Sequence, residues 1–268
     1  FAADVSSLVL SVATHTVKEF GLRLDELHND STTVSFFGAY LNAAIEGRVL
    51  GRPTLAITFG HNKDHRPDLK QLLFILTVTA DGGVPLHFRA ASGNVTDDTT
   101  HRDTWKLLCE LTGRRDFLYV ADSKLATREN MAYVHQHQGR FITVLPKTRS
   151  EDAAFRALVT QGQVTWKTLW EKTDDDGEVV DRYSTSEHPA TTAEGYRLVW
   201  YHSQRKAEQD AVVRTRRVER ALKELASLRE KLRSPRTRYR QMAMVEQEVA
   251  EILQGCGAES WVVAAIEP

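Results

Sequence analysis

Cysteine is scarce in this sequence of 268 residues: Cys109 and Cys256 are the only two, too few and too far apart for a disulfide framework or a Cys-based zinc site. That scarcity fits a reducing compartment. Long apolar runs are missing as well. None reaches the roughly 18 to 20 residues that a membrane-crossing helix needs, and Phe1 to Phe20 lacks the basic start and cleavage pattern of a secretory signal. There is no internal repeat and no low-complexity tract. The expectation is a soluble, cytoplasmic protein with no membrane partner. An excess of one charge is also missing, since the formal net charge is -1, and 41% hydrophobic with 26% charged residues is ordinary for one large domain or a domain carrying an insertion.

The charge that is present is unevenly placed. Residues 201 to 240 hold thirteen Lys or Arg against five Asp or Glu, whereas Asp174, Asp175, Asp176 and Glu178 form a small acidic turn. A basic stripe inside a neutral chain keeps nucleic-acid binding open, which an even spread would not. The sequence begins at Phe1 and stops at Pro268 directly after the strand-like run Trp261 to Ile266, so both ends look cut.

Periodicity gives the organisation. Val5 to Phe20 is apolar at helical spacing and is followed by Gly21, a helix stop. Thr32 to Tyr40 and Leu55 to Phe59 read as strands, and Leu72 to Thr79 with Val84 to Arg89 flank the hairpin turn Asp81-Gly82-Gly83. The pattern then alternates: helix 99–112, strand 117–121, helix 127–138, strand 141–145, helix 150–160. Antiparallel strands followed by βαβ units predict an α/β fold, a mixed sheet with helices on both faces, in the element order of the ribonuclease-H fold. After Gln161 come the strand-like pieces 164–170, 179–184 and 196–202. Val218, Ala221, Leu225, Leu228 and Leu232 then recur at steps of three and four, and Met242, Val245, Val249 and Ile252 repeat that spacing beyond Ser234-Pro235. Two helices joined at Pro235 and zipped antiparallel are the simplest reading.

Two acids stand where such a sheet would display them. Asp122 ends the apolar run Phe117 to Ala121, so its carboxylate would project from the carboxyl edge of a central strand. Asp30, in His28-Asn-Asp-Ser-Thr-Thr33, stands where the first strand begins. Carboxylates converging from different elements suit hard cations such as Mg²⁺, which prefer oxygen ligands and keep positions open for phosphate and water. The bland alternative is that Asp30 caps a turn and Asp122 caps the helix starting near Thr127.

Strings in a fixed order weigh against the bland reading: Asp30-Ser-Thr-Thr33 with Gly38-Ala-Tyr40, then Gly60 to Gln71, Gly93-Asn-Val-Thr-Asp97 and Ala121-Asp-Ser-Lys-Leu125. Together they resemble the DDE transposases of bacterial insertion sequences, the group whose catalytic core is split by a long insertion. The resemblance covers about residues 22 to 148 closely, and Lys63-Asp-His-Arg-Pro-Asp-Leu-Lys-Gln71 is its most specific piece. It implies a ribonuclease-H-like core over 22–161, with 1–21 the tail of an upstream region. Residues 162–268 would be the insertion, with a helical hairpin over about 204–254. It further implies that Asp30 and Asp122 are the first two acids of a catalytic triad. These would hold Mg²⁺, with Mn²⁺ as a substitute, as two ions about 3.5 to 4 Å apart that cleave and join DNA without a covalent protein intermediate. Its partners would be transposon ends and target DNA, bound by a homodimer in a bacterial cytoplasm and associated with the nucleoid.

One departure stands out. The third acid of that group sits in a pattern of Tyr, two residues, Arg, three residues, Glu, six residues, Lys, and no tyrosine from Tyr40 onward has Arg three positions later; after Tyr201 the position is Gln204. The third carboxylate is therefore expected beyond Pro268, and Glu208 is the nearest internal substitute. A binding-only remnant and a nuclease that hydrolyses without joining are the competing readings. His61, Asp64, His65 and Asp68 have metal-ligand chemistry but lack the helix or Cys partners of a zinc site. Lys63, Arg66 and Lys70 are candidates for a DNA-facing loop. Arg205, Arg214, Arg216 and Arg217 on the basic helix are candidates for phosphate contacts, against the alternative of a solvated helix face. His135 and His137 read as surface residues.

Overall fold

The computed structural model describes residues 5–43, 47–49, 52–187 and 191–266. Phe1 and Pro268, on which the expectation of cut ends rests, lie outside them. The chain divides into two compact units, Phe1–Asp152 and Ala153–Pro268. Among the described residues no helix is long and apolar enough to cross a membrane.

The first unit is built on five strands: β1 (Glu26–Phe36), β4 (Lys70–Thr79), β5 (Pro85–Ser92), β6 (Leu118–Ala121) and β7 (Arg140–Ile142). A separate short ladder, β2 (Arg48–Val49) with β3 (Arg52–Pro53), lies between β1 and β4 in sequence. The main sheet has the order β5-β4-β1-β6-β7; the pairs β5–β4 and β4–β1 are antiparallel, and β1, β6 and β7 are parallel. Counting only these strands, that is the order third, second, first, fourth, fifth, the ribonuclease-H-like arrangement of a mixed sheet flanked by helices.

Strict alternation makes these strands. In β4, Gln71, Leu73, Ile75, Thr77 and Thr79 are buried while their neighbours are half-buried, a period of two that puts every second side chain on one face. The register carries this face across to Leu27 and Asn29 on β1, and from them to Tyr119 and Ala121 on β6. Helices α2 (His101–Thr112) and α3 (Arg128–Gln136) cover it through Trp105, Leu108 and Val134, and α1 (Val5–Phe20) adds Ala13 and Val17 to the same core. His137, expected at the surface, is half-buried because its ring packs 4.3 Å from Tyr133 and 6.0 Å from Trp105; His135 is exposed.

Helix α4 (Ser150–Thr160) carries the division between the units. In the second unit β8 (Lys167–Thr173), β9 (Val179–Ser186) and β10 (Trp200–Ser203) form an antiparallel sheet with β9 central. Ser203 caps α5 (Gln204–Arg233) by accepting from the Lys206 amide at 3.0 Å. Asp181 of β9 seats the same turn, accepting from the Arg205 amide at 3.0 Å and the Ser203 hydroxyl at 2.8 Å. Helix α6 (Met242–Cys256) returns along α5: Val245, near its start, lines a groove with Leu228 and Leu232, while Cys256, at its end, clusters with Ala221. The pairing is antiparallel.

Several expectations are corrected. Strand β1 starts at Glu26, not Thr32, so Asp30 is its fifth residue. Leu55 to Phe59 forms only an isolated bridge, Thr58 with Gln71. Helix α6 begins at Met242 after a link of residues 234–241, so Pro235 does not start it. Met242 is exposed rather than part of the seam. Trp261 to Ile266 is not a strand; Ala264, Ala265 and Ile266 lie along the hairpin groove.

Candidate functional site

Asn29 and Ala121 are the last residues paired between the parallel strands β1 and β6. Asp30, within β1, and Asp122, just past the end of β6, follow them directly at one end of this ladder, and both line a cavity of about 860 Å³. Asp122 does not cap α3. Its Oδ1 accepts from the Lys124 amide at 2.9 Å, fixing a tight turn, and Thr127 caps the helix by accepting from the Asn130 amide at 3.1 Å. The Asp122 carbonyl is held by the Thr143 hydroxyl at 2.5 Å. Asp30, its side chain 80% exposed, accepts from the Ser31 amide at 2.7 Å.

Lys63 enters the same cavity from the loop after Gly60. Buried Asn62 anchors that loop: its Nδ2 donates to Ser35 Oγ at 2.8 Å and its Oδ1 accepts from the Asp64 amide at 2.8 Å. The Lys63 ammonium meets only oxygen: the Ser31 carbonyl, Ser31 Oγ at 2.9 Å, Asp97 Oδ2 at 3.0 Å and Asp30 Oδ1 at 3.5 Å. Burial lowers its pKa, but the hydrogen bond and charge of Asp97, with the charges of Asp30 and Asp122, outweigh that and hold it above the usual lysine range.

In the sequence Asp97 closes the string Gly93-Asn-Val-Thr-Asp97, and no spacing marks it as a partner of Lys63. The signal is in two glycines. A Cβ on Gly60 would stand 1.9 Å from the Gly93 carbonyl, and one on Gly93 would stand 2.1 Å from the Gln71 carbonyl. Only bare backbone lets the segments that carry Lys63 and Asp97 pack this closely over Gln71, whose Nε2 donates to the Gly93 carbonyl at 2.8 Å.

Behind the carboxylates lies His101, buried, its Nδ1 3.0 Å from the Tyr119 hydroxyl and its Nε2 without a hydrogen-bond partner among the described residues. Burial depresses its pKa, against the opposing pull of Asp122, Asp97 and Asp98. The rim adds Lys124, Arg128 and Arg149, none of them singled out from the sequence. Burial pushes the Cys109 thiol up to about 11, which disfavours its thiolate.

The other nominated residues lie elsewhere. Arg66 pairs with Asp68 at 2.6 Å, and Lys70 donates to the Ala39 and Tyr40 carbonyls at 2.7 and 3.0 Å; neither lines the cavity. Arg205, Arg214, Arg216 and Arg217 are exposed on α5, the last two beside Arg220 around the end of α6. Glu208 is exposed on α5 and accepts from Gln204 Nε2 at 3.0 Å. Among the described residues no three His, Cys, Asp or Glu side chains form a metal-holding group, so His61, Asp64, His65 and Asp68 do not make one. The oxygen-only set of Asp30, Asp122 and the nest around Lys63 is nonetheless the donor chemistry a hard cation takes.

No protein-family profile and no curated protein matches the sequence. Among solved structures the chain is similar to a piggyBac transposase synaptic complex with hairpin DNA, at 8% identity and a TM-score of 0.35, over 66% of this chain and 32% of that one. It is also similar to a Mos1 transposase paired-end complex with left transposon end, at 9% identity and a TM-score of 0.30, over 56% of this chain and 46% of that one. The chain thus spans less than half of either.

Proposed function

We propose that this chain is a catalytic-core portion of a DDE transposase that cleaves DNA at transposon ends and joins it to a target. The observation that carries the reading is the placement of Asp30 and Asp122, each one residue past the paired Asn29 and Ala121 of the adjacent parallel strands β1 and β6, and open to one cavity. Carboxylates so placed on a ribonuclease-H-like sheet would hold Mg²⁺ or Mn²⁺. A bound pair of such ions supplies activation of a water or a DNA 3′-hydroxyl and stabilisation of the leaving oxygen. Lys124, Arg128 and Arg149 at the rim would take phosphates of the strand being cut, and the tight turn at Asp122 holds its carboxylate in place. The Arg-rich face of α5 would add a salt-dependent contact that carries no sequence information. Assembly as a homodimer on DNA, in the cytoplasm, belongs to the same reading, with residues 162–268 as the insertion beside a core over 22–161.

A binding-only reading has one observation in its favour, the lack of a third metal-holding side chain among the described residues. Both readings expect the 268-residue chain to bind DNA with an affinity that falls as salt rises. A longer version carrying a Glu in the Tyr, Arg, Glu, Lys pattern should nick and join labelled transposon-end DNA in Mg²⁺, and Asp122→Ala in that version should abolish both steps while leaving binding intact. Hydrolysis without joining would identify a nuclease instead. Mg²⁺-dependent cleavage by residues 1–268 alone would show that an internal acid, such as Glu208 or Asp97, completes the set.

A further inference from the structure

We propose that Lys63 is a tethered cation of the carboxylate cavity, held there by Asp97, which neutralises Asp30 and Asp122 in the metal-free chain and competes with a divalent cation for the same oxygens. The inference rests on the reading of Asp30 and Asp122 as metal ligands and assigns a role to two residues which that reading leaves idle.

An ammonium has three protons to give. The one on Lys63 has four oxygen acceptors within 3.5 Å, a carbonyl, a hydroxyl and two carboxylates, with Asp122 close enough to act on it by charge. Carbonyl, hydroxyl and carboxylate oxygens are the ligand types that hard cations select. A merely structural tie between the loop and β1 does not require this arrangement. The loop is already fastened by Asn62 to Ser35 at 2.8 Å and by the Lys63 amide to Thr33 Oγ1 at 3.3 Å. Asp97 has only 11% of its side chain exposed, so its charge is matched inside the protein rather than by solvent. A second observation comes from the interior. His101, buried with its Nε2 unpartnered, lies where Asp122, Asp97, Asp98 and Lys63 all act on it. A buried polar group beside these charges therefore has hydrogen-bonding capacity that, among the described residues, the protein's own hydrogen bonds leave unused.

A cation already in place should weaken the binding of a second one. Mn²⁺ titrated into the 268-residue chain, with free Mn²⁺ read by electron paramagnetic resonance, tests this directly. Lys63→Met should bind Mn²⁺ at least tenfold more tightly than the unaltered chain. The pair Lys63→Met with Asp97→Asn, which removes one charge of each sign, should still bind at least threefold more tightly. If Lys63→Met leaves Asp97 too poorly matched to fold, as circular dichroism would report, the double variant carries the test, because it removes that unmatched charge as well. Asp122→Asn should abolish binding in every background. Affinity in Lys63→Met equal to or weaker than the unaltered chain, with Asp122→Asn still abolishing it, overturns the tethered cation alone. Mn²⁺ binding that survives Asp122→Asn, or is absent from every variant, overturns the metal-site reading and this proposal with it.

Discussion

The two units use the same charged residue types under opposite constraints. In the first, Lys63 is half-buried and fixed by four oxygens that come from β1 and from the segment after β5. In the second, the basic residues of α5 lie on an exposed face and pair along their own helix, Lys206 with Asp210, Arg220 with Glu224 and Arg233 with Glu230. Exposed pairs of this kind are worth about 0 to 1 kcal/mol and can be rearranged at little cost. A charge held from several elements cannot be moved without moving the backbone that carries its partners. The contrast separates a charge fixed from several elements from a field of charges distributed along one helix.

The comparison can be broken most severely at Gly93. Gly93→Ala would place a methyl 2.1 Å from the Gln71 carbonyl and 2.5 Å from the Thr58 carbonyl, both backbone atoms that cannot swing aside. A loss of about 3 kcal/mol or more is expected, at the upper end of overpacking costs, measured as a drop in the denaturant midpoint. The matching break in the second unit is Leu228→Ala, at a side chain 3% exposed in the helical seam. About 2 to 3 kcal/mol is expected, the low end for such truncations because the adjoining groove gives room to relax.

Acidification sharpens the contrast further. His101 is held below the ordinary imidazole range by burial, and His87 by burial and by Arg89. The unfolded chain therefore takes up these protons more readily than the folded one. Their contribution to stability is complete above the ordinary imidazole pKa of about 6.5 and is lost as pH falls through it toward the depressed folded values. Urea midpoints at pH 7.5 and pH 5.5 should show the decrease, and His101→Gln should reduce it.

The smallest effect is expected on α5. Arg216→Ala, at an exposed position, should change stability by no more than about 0.5 kcal/mol. The same change should lower the salt dependence of DNA binding by about one unit of slope without altering sequence preference. No change in that slope would favour a merely solvated helix face.

How much of this was legible depended on whether a signal was local. The run Phe117 to Ala121 followed by Asp122 announces a buried strand and an acid at its end, and both are where the sequence puts them. The seam of α5 was equally readable, because Ala221 and Leu228 are buried at its repeat while Arg216 and Arg217 remain exposed. Leu55 to Phe59 had strand composition, but Gly60 and Gly93 bring backbone so close over Gln71 that a single bridge forms there instead of a ladder. Trp261 to Ile266 looked like a strand only because an extended chain over an apolar groove selects the same residues. The partnership of Lys63 with Asp97 left no periodic trace, since it depends on two loops meeting in three dimensions.

The placement of the indoles gives the molecule an optical division of its own. Trp105 is the one tryptophan before Asp152, and it is 2% exposed on the buried face of α2, whereas Trp166, Trp170, Trp200 and Trp261 all follow. Replacing those four by phenylalanine would leave a single emitter, shielded from water and seated in the core beneath the carboxylate strands. Its emission would lie at the blue edge in the folded chain and shift to the red only when that core opens. Melting of the core could then be followed by fluorescence while circular dichroism at 222 nm, with the 30 residues of α5 contributing strongly, follows the helices.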